Sequence, residues 1–140
     1  MSSRTRETAD RMHSAAIHLL RRVSREDPRA GVSPARLSAL SVLVFAGPQR
    51  ISELALMERV KVPTMSRLVA AMEGEGLVRR ERHGTDGRVV VLHATAKGKR
   101  ILDRARELRL ALLESLLSKA TAREIATVRE AAEIVDRLVL

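Results

Sequence analysis

The sequence predicts a mainly α fold with a small β-wing: a winged helix-turn-helix carrying long N- and C-terminal dimerisation helices. Three observations carry that expectation. Apolar residues recur three and four apart over residues 5–26, 99–118 and 121–139, the period of amphipathic helices. Two short helical patterns meet at a tight turn just after Val60. At Leu77-Val78 the period switches from 3.6 to 2, and a glycine-containing connection then separates two strand-like runs.

In chain order, residues 5–26 read as one helix, with Ala9, Met12, Ala16, Leu19 and Val23 on one side and Arg and Glu between them. Asp27-Pro28 closes it, and Arg29-Ala30-Gly31 reads as a loop. Ser33 is a cap and Pro34 a first helical residue for a helix reaching about Ala46. Leu37, Leu40, Val42, Leu43, Val44 and Phe45 make that helix apolar almost all round, so it is expected to be the central core helix. Gly47-Pro48 ends it. Ile51 is expected as a short strand residue, followed by Ser52 as the cap of a helix that contains Leu54, Ala55 and Met57 and runs to about Val60.

Pro63 pre-sets the backbone for the first position of the next helix, where Met65, Leu68, Val69 and Met72 form an apolar face. Thr64, Ser66, Arg67, Ala70 and Ala71 are left facing outward. A small, polar, singly basic face suits a helix lying in a DNA major groove about 12 Å wide. Gly76 falls where a left-handed cap is expected. Beyond it, residues 77–82 (LVRRER) face Val89-Val90-Val91-Leu92, and the connection HGTDGR turns at Gly84 and Asp86-Gly87. Arg88 stands at the tip, and Arg79, Arg80 and Arg82 line the base. Arginines on an edge strand can serve only solvation and protection from aggregation; beside an outward-facing helix, contact with a polyanion is the stronger reading. The candidate DNA-contacting residues are Lys61, Pro63, Thr64, Ser66, Arg67, Arg82, Asp86 and Arg88.

Thr95 is expected to cap a helix that runs, after Gly98, from Lys99 to about Ser118, and Thr121 a final helix with Ile125, Val128, Ala132, Val135 and Val139 on one face. The chain is read as one domain over residues 1–140. Residues 33–95 form its winged lobe, and residues 5–26 and 99–139 its dimerisation helices. A lobe of about sixty residues buries only about 60% of its unfolded surface, and the terminal stripes exceed what it can cover. A second copy of the chain is the economical partner; the alternative is an intramolecular antiparallel bundle of the three long helices.

Composition narrows the function. The 26 basic and 17 acidic residues give +9 and a pI near 11.4, which favours a polyanionic partner. Residues 50–100 hold eleven Lys/Arg against six Asp/Glu, so +5 of the charge lies with the outward helix and the hairpin. The apolar run Leu37–Gly47 is too short to cross a bilayer, and Met1 leads directly into SSRTRETADR with no secretory signal, so a cytoplasmic protein without membrane contact is expected. There is no cysteine, hence no disulfide, thiol nucleophile or thiol-based redox sensor. Neither a carboxylate pair nor a Ser-His pair can be placed near a cleft and no glycine-rich phosphate loop occurs, so no catalytic residue or cofactor is expected and an enzyme is the weaker class. His13 and His18 lie five apart on one helix and would not share a face well, and no metal site is expected in the chain. A winged helix used only for protein contacts is the other rival; the Ser66-Arg67 face and the local charge argue for DNA.

These motifs together resemble the MarR family of winged-helix transcription regulators. The resemblance rests on Glu53-Leu54-Ala55, Thr64-x-Ser66-Arg67-Leu68-Val69, Glu73 with Gly76-Leu77-Val78, Asp86-x-Arg88 and Thr95-x-Lys97-Gly98. It covers residues 33–102 by motif and the flanking helices by pattern. It implies a homodimeric repressor on a pseudo-palindromic operator in double-stranded DNA, with Asp86 bracing the wing tip and Arg88 reaching the minor groove. It also implies a small lipophilic or anionic effector bound between the DNA-binding lobes and the dimer helices. Three positions depart from the family pattern: Arg59 stands where the turn often has glycine, Gly87 where a second wing arginine is frequent, and Ala94 where leucine usually precedes Thr95.

Overall fold

A computed structural model describes residues 3–85 and 87–140. Its elements are α1 (Ser3–Ser24), a short 3₁₀ turn (Asp27–Ala30), α2 (Pro34–Phe45), α3 (Ile51–Met57), α4 (Val62–Gly74), β1 (Val78–His83), β2 (Val89–Ala94), α5 (Ala96–Leu117) and α6 (Ala122–Val139). The two strands pair antiparallel, with Val78 opposite Ala94 and His83 opposite Val89. This is the winged helix-turn-helix expected from the sequence, mainly α with a β-wing.

The lobe closes around Leu40, Leu54, Met65, Val69, Met72, Leu77 and Leu92, all fully buried. α2 crosses its centre, as its apolar composition requires. Ser33 accepts from the Arg36 N–H at 3.4 Å, and Pro34 supplies the first helical residue. The helix is not buried all round, however: Phe45 is 80% exposed. At the end of α4 the Gly76 N–H donates to Glu73 O (3.0 Å) and the Leu77 N–H to Met72 O (2.9 Å), a Schellman closure. Gly76 makes it possible by adopting φ +74°.

Several boundaries differ from the sequence expectation. The isolated bridge lies at Gln49, not Ile51: Gln49 exchanges both backbone hydrogen bonds with Leu92. Ile51 instead opens α3, and Arg50 takes the cap position expected of Ser52, its N–H donating to the Glu53 carboxylate at 2.8 Å. α3 stops at Met57, because Arg59 turns the chain with φ +55°. α4 begins at Val62, so Pro63 is its second residue. Asp27–Ala30 forms a helical turn rather than an open loop.

α5 starts at Ala96, three residues before expected, and Gly98 lies within its first turn. The cap sets the start locally, and a tertiary bond fixes it in place. Thr95 accepts from the Gly98 N–H at 3.0 Å while its hydroxyl donates to Gly76 O, which seats the helix start against the end of α4. A Cβ on Gly98 would run into the Leu77 carbonyl oxygen and come within 3.0 Å of Leu40 Cδ2.

Outside the lobe the chain is open. α1 has one buried residue, Val23, and α6 has none. Thr121 and Glu124 cap α6 reciprocally, as its sequence requires. The intramolecular bundle of the three long helices is therefore not formed. No helix among the described residues is long and apolar enough to cross a membrane.

Candidate nucleic-acid interface

α3, the Arg59 turn and α4 present the N-terminal end of α4 outward. Met65, Val69 and Met72 anchor its inner face, which leaves Lys61, Pro63, Thr64, Arg67 and Ala70 exposed and Ser66 and Ala71 half-buried. Lys61 sits in extended backbone at the cap position. Its charge adds to the unpaired N–H groups and the positive end of the helix dipole, a combination that attracts phosphate.

The wing arginines divide into separate roles. Arg80 and Arg82 alternate onto the strand face that includes Leu92, while Arg79, Glu81, His83, Val91 and His93 share the opposite face. Arg80 Nε donates to the Glu73 carboxylate on α4 at 3.2 Å, tying the wing base to the helix. Arg82 Nη1 lies 3.4 Å from Gly87 O and so steadies the hairpin turn from within. Arg79 pairs with Glu81 at 3.2 Å. Arg88 is exposed where the chain re-enters β2. Asp86, expected to brace the tip, lies outside the described residues. The hydrogen bond from Arg79, with smaller contributions from His83 and His93 and against some desolvation, holds the Glu81 carboxyl below the usual carboxylate range.

Two constellations were not anticipated from the sequence. Asp27 is fully buried and accepts two hydrogen bonds from Arg109, Nε to Oδ1 at 2.7 Å and Nη2 to Oδ2 at 2.6 Å. The bidentate bond raises the Arg109 pKa further above its ordinary value. The pair joins the 3₁₀ turn to α5 across 82 residues of sequence, and no local signal announces it. The second is Glu81, His83 and His93, whose ligand atoms all lie within 4.8 Å of one another. Glu81-x-His83 was legible as two residues on one strand face; only the strand register brings His93 to them.

An open groove of about 680 Å³ runs between α1, α2 and α5, lined by Leu20, Val23, Leu37, Phe45, Leu102 and Leu113 with Arg106 and Arg109 at its edge.

A two-helix reader unit with a basic hairpin beside it defines a winged helix-turn-helix protein built to bind DNA. Residues 32–90 match the sequence model of the MarR family. An HTH-type transcriptional regulator of Mycobacterium leprae is 32% identical over 125 residues, 89% of this chain and 87% of that protein. An HTH-type transcriptional regulator of Mycobacterium tuberculosis is 33% identical over the same shares. Among solved structures, a MarR family protein from Bacillus stearothermophilus superposes with a TM-score of 0.80 at 26% identity, covering 98% of this chain and 96% of that one. The chain belongs to the MarR family, and is a DNA-binding transcription regulator rather than an enzyme.

The motif residues now have physical roles. Glu53 caps α3, Glu73 receives Arg80, Gly76 closes α4, and Thr95, Lys97 and Gly98 lock α5 onto that closure, with Lys97 Nζ donating to Glu75 O at 2.8 Å.

Proposed function

We propose that this regulator is a homodimeric, ligand-responsive repressor that reads a pseudo-palindromic operator in double-stranded DNA in the cytoplasm. The observation that carries the reading is the contrast between an exposed α4 N-terminus beside a basic wing and helices α1 and α6, most of whose apolar residues stay uncovered within one chain. Val128 is 50%, Leu138 73% and Val139 67% exposed. A second copy covers these residues and places two α4 helices in successive major grooves, about 34 Å or 10 base pairs apart. Sedimentation should then give about twice 15.5 kDa. A stable folded monomer ends the dimer reading. Leu112→Asp and Val135→Asp should lower stability and DNA affinity together, because each buries an unpaired charge at the seam.

On DNA, Lys61, Pro63, Thr64 and Ser66 position α4, and Arg67 meets a guanine edge. Arg82 steadies the wing, and Arg88 enters the minor groove. Loss of a specific base contact costs about 1–3 kcal/mol and relaxes preference at that base pair. Arg67→Ala should therefore change the preferred site, and Arg88→Ala should weaken many sites alike and flatten the salt dependence. Selection from a randomised operator library at two salt concentrations tests this; the opposite pattern reverses the two roles.

The groove between α1, α2 and α5 suits a lipophilic anion, with an apolar lining that includes Phe45 and with Arg106 at the edge. Ligand there releases DNA by favouring another spacing of the two lobes. Phenolic and aliphatic acids should lower operator affinity; if none does, the protein is a constitutive binder whose abundance sets its action.

A further inference from the structure

We propose that the outer face of the wing is a divalent transition-metal site, of the zinc type, with Glu81, His83 and His93 as its protein ligands. Glu81 and His83 alternate onto one face of β1, and His93 reaches the same face from β2, so the three side chains converge across the strand pair. Their ligand atoms all lie within 4.8 Å of one another. Two imidazoles and a carboxylate are the donor set that zinc and its neighbours in the first transition row accept, with water completing a tetrahedron.

The spacing fits. Ligand atoms about 2.1 Å from a tetrahedral ion stand about 3.4 Å apart. Here His93 Nε2 lies 2.7 Å from Glu81 Oε2, and His83 Nε2 lies 3.7 Å from Glu81 Oε1, values that bracket that edge. Side-chain rotations that open the first separation by about 0.7 Å and close the second by about 0.3 Å reach that edge, and Glu81 and His83 are exposed enough to make them. His93 Nε2 is shielded from solvent and held 2.7 Å from the Glu81 carboxylate, where it carries a proton. A metal bound between the two groups displaces that proton and takes the nitrogen's lone pair.

One cation competes for the site: Arg79 Nη1 lies 3.2 Å from the same Glu81 oxygen. Metal binding turns Arg79 away from the carboxylate, cross-links the two strands and adds positive charge to the wing. The site therefore stiffens the hairpin whether or not DNA is present.

Titration of the full-length protein with Co²⁺, a spectroscopically visible stand-in for zinc, tests the assignment. One ion per chain should bind with the visible absorption of a tetrahedral centre and be displaced by Zn²⁺. Binding should slow amide exchange at residues 78–83 and 89–94. The absorption should be lost in His93→Gln and in His83→Gln, and kept in His13→Gln and His18→Gln, with circular dichroism confirming that each variant is folded. Absence of the tetrahedral absorption, its survival in folded His83→Gln or His93→Gln, or its loss in the α1 variants overturns the proposal.

Discussion

The winged lobe and the terminal helices solve the burial problem in opposite ways. In the lobe, Leu40, Leu54, Val69, Met72 and Leu92 have no exposed surface, although the unit is short. In α1 and α6, helices of 22 and 18 residues, only Val23 is buried. Both regions have clean helical periods. The difference is that the lobe's apolar faces point at one another across short turns, whereas most of those of α1 and α6 find no cover in the chain. Amphipathic periodicity therefore identifies a face to be covered without saying whether the cover lies in the same molecule. α5 belongs to both regions: Ala105 is buried against the lobe, while Leu110 and Leu116 remain exposed further along.

The largest expected effect lies where α5 is pinned to the closed region. Arg109→Met should destabilise by about 4 kcal/mol, since it leaves a fully buried Asp27 carboxylate without a partner. Asp27→Ala should cost about half as much, about 2 kcal/mol, because the Arg109 side chain, 33% exposed, can turn to water. Equal losses from chemical denaturation of the two variants would show that the pair acts by packing alone.

Next comes the lobe core. Leu40→Ala should lower stability by about 3 kcal/mol through the lost transfer energy and the cavity left behind. That loss should be the same at low and high protein concentration. A matching Val128→Ala on α6 should act only on the concentration-dependent part of the stability, and the reverse pattern in urea melts would collapse the distinction between the regions.

Gly98→Ala tests how tightly the lobe is closed. Its new Cβ meets the Leu77 carbonyl, so α5 must shift, at about 2 kcal/mol for overpacking. A neutral effect on the thermal midpoint would mean that the α5 start is looser than its contacts imply.

Arg59→Gly should act in the other direction. Arg59 holds φ +55° in the turn, a left-handed conformation that costs a residue with a Cβ about 1 kcal/mol, and glycine relieves it. The unfolding free energy should rise by at most about 1 kcal/mol, reduced by the entropy glycine adds to the unfolded chain, so the midpoint moves up with the slope unchanged.

The smallest effect belongs to the open region. The Thr121 N–H, and then its hydroxyl, hydrogen-bond the Glu124 carboxylate and lower its pKa from 4.5. A lowered folded pKa gives stability that is present above the unfolded value and is lost as pH falls through the folded one. α6 should therefore fray at its first turn as pH drops below about 4.5, as read from the amide signals of residues 122–125, and Glu124→Gln should remove that pH dependence.

Most of the architecture was legible in residues that act locally. Ser33, Thr95 and Thr121 cap as expected because a cap needs only the N–H three residues ahead, and Gly76 closes α4 because only the backbone of that last turn is involved. The outward set on α4 was legible for the same reason: Met65, Val69 and Met72 fix which side is buried. Some boundaries failed locally, as where Arg50 rather than Ser52 caps α3; others failed where a partner from elsewhere intervenes. Leu92, from β2, moves the bridge to Gln49.

By itself, then, the sequence determined the helices, most of their caps, the turn, the hairpin and the side of each element that seeks cover, since periodicity and capping depend on neighbours within about one helical turn. Tertiary structure alone decided the Asp27–Arg109 lock, the bracing of the wing by Arg80 on Glu73, and the meeting of His93 with Glu81 and His83. Each of these joins residues from separate elements. Their distance depends on strand register and on how α5 seats against the lobe, and both are set by packing of the whole core.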